Sequence, residues 1–132
     1  MTLGAWTRRL SLTLALLMPA MALPEGAVKL LDCTVTRVCD AEGVCETGSG
    51  KAVFRMEPLQ LGAGGAGTFM ITYAGTEAEM TAMSEVGPFL WTAGSERNAL
   101  IVSSRTEWLW HQLAVDPTTK ATVRFLSCTF QG

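Results

Sequence analysis

Four cysteines, one histidine, a glycine-rich loop and a tryptophan pair are the groups in this chain whose chemistry is worth asking about. Cys33, Cys39 and Cys45 are each separated by five residues, and Cys128 follows far downstream. A structural zinc needs a closer C-x2-C type of spacing, and no redox-active C-x-x-C is present. The cysteines therefore read as structural disulfides. Four allow three connectivities, which sequence alone leaves open. Local geometry favours Cys39–Cys45, because Asp40-Ala41-Glu42-Gly43-Val44 is turn-like and folds back on itself. Cys33–Cys128 then joins the first strand to the last.

Gly62-Ala63-Gly64-Gly65-Ala66-Gly67 matches the G-x-G-x-x-G of dinucleotide sites, where the loop follows a strand and opens a helix facing the pyrophosphate. Here Thr68 to Tyr73 follows, which alternates like a strand, and no βαβ unit surrounds it. The expectation is a loop between strands, with no cofactor. His111 is the single histidine, too few for a metal site of His and Cys ligands. No serine or free cysteine stands in a recognisable nucleophile setting near it, and Gly48-Ser49-Gly50 lacks the flanks of a nucleophile elbow. No catalytic residue is assigned. Met70, Met80 and Met83 with His111 would suit Cu(I), but methionines at this spacing are ordinary core fillers, and no metal is expected.

The most informative segment is Trp108-Leu109-Trp110-His111. On a strand, Trp108 and Trp110 share one face, while Leu109, His111 and Leu113 share the other. Both faces are then largely apolar: the tryptophans fill the core with the leucines covered by a loop, or the reverse. Alternatively, one face lines a pocket or a partner surface. Trp91, beside Phe89, extends either arrangement. Trp91, Trp108, Trp110 and His111 are accordingly the candidate ligand or partner surface.

The elements that must position these residues read as short strands. Lys29 to Cys39 alternates, with Leu31, Cys33 and Val35 on one face. Lys51 to Glu57 is a weaker strand ending at Pro58. Thr68 to Ala74 alternates with Phe69, Ile71 and Tyr73 together. Thr76 to Ser84 suits a strand or a helix, and a strand is favoured because a lone helix has no visible packing partner. Pro88 to Ala93, Ala99 to Ser103, Glu107 to Val115 and Ala121 to Phe130 follow. Gly94 to Asn98 and Asp116-Pro117-Thr118-Thr119 are the turns between them. Strands at this regular spacing predict an all-β domain. The expected form is an antiparallel meander of about eight strands closing into a barrel or barrel-like sandwich, since closure removes exposed edges.

Ahead of this domain, Arg8 and Arg9 precede the apolar run Leu10 to Met18, Pro19 and the small-x-small triplet Ala20-Met21-Ala22. This is the pattern of a cleaved signal peptide over residues 1–22, leaving one domain over 23–132. The run is shorter than the roughly 20 apolar residues of a membrane span. Thr7-Arg8-Arg9-Leu10-Ser11-Leu12 approaches a twin-arginine signal, but Ser11 departs from it and general export is the expectation. No cysteine stands where lipidation would need one.

Of the ten basic residues, Arg8 and Arg9 leave with the signal, so eight remain against twelve acidic ones, a formal charge of −4. That balance disfavours nucleic acid, whose phosphates call for clustered Lys and Arg. The expected location is periplasmic or secreted, with no stable membrane insertion after cleavage.

The signal, the Cys33/Cys39/Cys45 cluster, Trp108-Leu109-Trp110-His111 and the closing Phe125-Leu126-Ser127-Cys128 together resemble small exported, disulfide-bearing β proteins of Gram-negative bacteria that have no assigned function. Small periplasmic barrels that inhibit lysozyme are similar in size and in carrying a bridge near the C-terminus, although their inhibitory loop motif has no counterpart that can be placed here. The resemblance implies no catalytic residues. The functional expectation is a non-catalytic module binding an unidentified protein or a small apolar ligand. The alternatives are an enzyme with its site around His111 and a purely structural envelope protein.

Overall fold

A computed structural model describes residues 26–114, 116, 118 and 120–131. The signal-peptide reading over residues 1–22 lies outside them, as do Pro117 and Thr119 of the turn before the last strand.

Among the described residues nine strands form: β1 (Lys29–Cys39), β2 (Cys45–Thr47), β3 (Lys51–Leu61), β4 (Gly67–Tyr73), β5 (Thr76–Ala82), β6 (Phe89–Ala93), β7 (Glu96–Val102), β8 (Glu107–Ala114) and β9 (Thr122–Gln131). The chain runs as an antiparallel meander from β3 to β9, and β9 then pairs with β1. The result is a closed eight-stranded antiparallel barrel. The short β2 continues the path of β3 along the far half of β1, so the two share one side of that long strand.

Period-two alternation decides what enters the barrel. Leu31, Cys33 and Val35 point inward from β1, Phe54 and Met56 from β3, and Phe69 and Ile71 from β4. Met80, Trp91, Leu100, Trp108, Trp110, Leu126 and Cys128 complete the packed interior. Fully burying a side chain such as Phe54 contributes about 1.5–3 kcal/mol, and an eight-stranded barrel is just wide enough for such side chains to fill it. The segment Thr76–Ala82 is a strand because its alternation places Met80 and Ala82 inside while Glu77 and Glu79 stay in water.

Both expected disulfides are present, and both are cross-strand. Cys33–Cys128 joins β1 to β9 where the two residues face each other in register, fully inside the barrel. Cys39–Cys45 ties β1 to β2 across the Asp40–Val44 turn.

Two expectations need correction. Pro58 does not end the second long strand. A register shift between Pro58 and Gln60 absorbs the missing backbone donor, and β3 runs on to Leu61. Asn98 is not a turn residue. The strand begins at Glu96, and Asn98 continues the inward series with Leu100 and Val102.

The glycine loop connects β3 to β4 through a short 3-10 turn at Ala63–Gly65. Gly67 shows why the series must end in glycine. Its φ is +151°, and a Cβ there would lie 2.3 Å from the Gln60 carbonyl oxygen. The loop is a tight connection between strands, and no helix follows it.

Candidate functional site

The barrel has two ends. One is crossed by the β3–β4 loop and the Met83–Pro88 segment, with Phe130 beside Trp108. The other carries the Cys39–Cys45 bridge, the tight turns after Tyr73 and Ala93, and the start of β9. The interior changes character toward this second end.

An aromatic layer lies just below it. The Phe54 ring stacks on Tyr73 at 5.1 Å and meets Trp110 edge-on at 5.1 Å and Trp91 at 6.1 Å. Tyr73 and Trp110 stand nearly perpendicular, 76° apart with centroids at 4.9 Å, so they form two walls of a corner. Above the rings, alternation brings polar residues inward from β7, β8 and β9. Asn98 is 6% exposed, the one buried polar residue of the described barrel.

The Asn98 amide is a hub. Its Oδ1 accepts from the Trp110 indole Nε1–H at 3.0 Å and from Gln112 Nε2 at 3.3 Å, and its Nδ2 donates to the Glu96 carbonyl at 3.3 Å. Gln112 Nε2 also lies 3.4 Å from Glu96 Oε2, and Gln112 Oε1 accepts from Arg124. The Arg124 guanidinium sits 5.0 Å over the Trp110 ring. A buried polar group without partners costs about 1–3 kcal/mol, so this network is what allows Asn98 and the indole N–H to sit inside.

Rings and network surround a cavity of about 330 Å³ that opens at the barrel mouth, lined by Ile71, Tyr73, Trp91, Glu96, Asn98 and Trp110 among others. That volume is at the small end of the range for small-molecule sites, which combine apolar walls with a few placed polar groups.

The wall beside this cavity is incomplete. β4 and β5 pair along their whole length, and so do β6 and β7. Between β5 and β6, pairing covers only Met80–Ala82 against Phe89–Trp91. Thr76–Glu79 has no register partner on β6. A hollow of about 610 Å³ lies outside this seam, with Glu77, Glu79 and Arg97 on its rim. It shares Trp91, Ala93, Gly94 and Asn98 with the mouth cavity, so Trp91 borders both hollows.

The four residues expected to form one surface do not do so. Trp91, Trp108 and Trp110 all point into the barrel, at 7%, 4% and 2% exposure. Trp91 and Trp110 meet at the mouth cavity, while Trp108 stacks on Phe89 at 5.7 Å deeper in the barrel. His111 points outward and is exposed, flanked in register by Ala99 and Val123. Leu109 is half-buried on the outer wall between Ile101 and Phe125, covered by cross-strand neighbours instead of a loop. Met70 and Met80 project to opposite faces of the sheet.

Another depression of about 460 Å³ lies on the outer wall along β8, β9 and Arg37. The one ring exposed there, Phe125, is already covered by the Arg37 guanidinium 4.0 Å from its centroid. The mouth cavity is the better-built site.

Sequence reasoning missed Tyr73, Glu96, Asn98, Gln112 and Arg124. A signal existed for Asn98 and Gln112, since Asn98-Leu100-Val102 and Trp108-Trp110-Gln112 are alternating series that share a face. The same holds for Arg124, which alternates with the buried Leu126 and Cys128 on β9 and lies opposite Trp110 in register.

Comparison with protein-family models, curated proteins and solved structures finds no match for this chain. The functional reading therefore rests on the geometry of the barrel mouth.

Proposed function

We propose that this protein is an exported, non-catalytic binding module that takes a small ligand with an apolar body into the Tyr73/Trp91/Trp110 mouth of its barrel. The observation that carries the reading is the cavity itself. Three rings line a space that two neighbouring turns and a short β5–β6 seam leave open, and a hydrogen-bonded amide network forms its polar edge. Rings held by cross-strand packing are pre-organised, so little conformational entropy is lost when a ligand enters.

Two disulfides are compatible with an oxidising location. The finer reading, a periplasmic or secreted protein released by cleavage after Ala22, is part of the same proposal and rests on residues 8–22.

Ala93 lines the cavity without contributing to the network, so Ala93→Trp fills the site while leaving its polar partners in place. Purified protein is incubated with a small-molecule extract of the host envelope, washed, denatured and analysed by mass spectrometry. The native protein is expected to release a compound that Ala93→Trp does not. Identical release from both, or none from either, would sink the proposal.

A further inference from the structure

The groups left available around the mouth are almost all of one electrostatic kind. The nearby amide donors are already engaged: Asn98 Nδ2 on the Glu96 carbonyl, and Gln112 Nε2 on Asn98 Oδ1 and Glu96 Oε2. Trp110 Nε1–H is spent on Asn98, and Arg124 is held by Gln112 over the Trp110 ring. The cavity is lined instead by the aromatic residues Tyr73, Trp91 and Trp110, with Thr76 and Glu96 beside them. Neither Lys nor Arg lines it.

The adjoining hollow points the same way. Glu77 and Glu79 stand on the β5 rim of the seam, against the single cation Arg97. Among the described residues none of Glu77, Glu79 and Glu96 is in an ion pair. Glu96 at the mouth and Glu77 and Glu79 on the adjoining hollow outnumber Arg97 and Arg124 around this end of the barrel, a balance that favours cations over anions there. Rings carry a quadrupole with its negative side at the face, so a desolvated cation packed on an open ring face is attracted to it.

From this arrangement we infer that the mouth binds a small organic cation, an alkylated ammonium ion free in solution. The inference rests on the ligand-binding reading of the mouth and adds the ligand's charge class. An inorganic cation does not fit the lining, whose one carboxylate and two hydroxyl-bearing residues fall short of the roughly six oxygens a hard ion needs. An alkylammonium ion suits it, because its methyl groups pack on the rings while its diffuse charge faces Glu96.

The test compares choline chloride with its uncharged carbon isostere, 3,3-dimethylbutan-1-ol, by tryptophan fluorescence of the native mature protein. Choline is expected to change the emission saturably and to bind at least about tenfold more tightly than the alcohol, with affinity falling as salt is raised. Glu96→Gln, and separately the Glu77→Gln/Glu79→Gln double variant, are expected to weaken choline binding several-fold and leave binding of the alcohol unchanged. All three side chains are exposed, and melting curves check that each variant is folded; the double variant carries the test if Glu96→Gln is not.

Equal affinity for choline and the alcohol would overturn the cationic class and leave the mouth as a site for neutral apolar ligands. No response to either would also overturn it, while the Ala93→Trp comparison, which depends on space and not on charge, judges the binding reading separately.

Discussion

Asn98 makes three hydrogen bonds with one amide, and the aromatic mouth is arranged around them. Its oxygen takes the Trp110 indole proton and a Gln112 amide proton, so removing it leaves the buried Trp110 N–H without its partner, while Gln112 keeps Glu96. Asn98→Ala is therefore expected to cost about 1–3 kcal/mol, more than the loss of one exposed hydrogen bond. Urea unfolding of the native and substituted proteins measures this, and a cost near zero would mean that water replaces the amide. At the same scale, Thr118 donates its N–H and hydroxyl to Asp116, holding that carboxyl below its ordinary value of 3.8. The group is fully exposed, so this orders a turn and contributes little else.

At the scale of elements, the two bridges do different work. Cys33–Cys128 spans a sequence separation of 95 and locks the pair of strands that closes the barrel, whereas Cys39–Cys45 spans 6 and only pins a hairpin. In the chain-entropy account the long bridge contributes about 4–5 kcal/mol and the short one roughly 2 kcal/mol. Replacing Cys33 and Cys128 together by Ala is expected to lower the unfolding free energy by about twice as much as replacing Cys39 and Cys45. Equal losses in denaturant titrations would show that β1–β9 closure does not depend on its covalent link. The seam between β5 and β6 is the counterpart of this closure: one wall is welded, and another is left short of its full pairing.

For the whole molecule, closure of the sheet leaves the described barrel with one short exposed edge strand, β2. The 23–132 segment carries a formal charge of −4. If the export reading holds, the mature protein in a periplasmic fraction starts at Leu23 and carries no free thiol. N-terminal sequencing together with thiol titration under denaturing conditions checks both. A chain starting at Met1, or reactive thiols, would contradict it.

The all-β class and most strand positions were legible before any coordinates, because alternation and turn chemistry are local; the disulfide pairing was only favoured, by the turn between Cys39 and Cys45, and the bounds at Pro58 and Glu96 were not read. Which face of Trp108-Leu109-Trp110-His111 turns inward was not. Both faces are apolar, and only closure of the sheet against Phe54, Phe89 and Leu126 decides it. The same holds for the site. Tyr73, Trp91, Asn98, Trp110 and Gln112 come from four different strands and meet only through cross-strand register. Alternation along one strand tells which residues share a face. The sequence by itself therefore determined the all-β class and most of the strands, and favoured their staples. Tertiary structure alone decided which rings and amides share a mouth, because closure of the barrel sets the register between residues far apart in the chain.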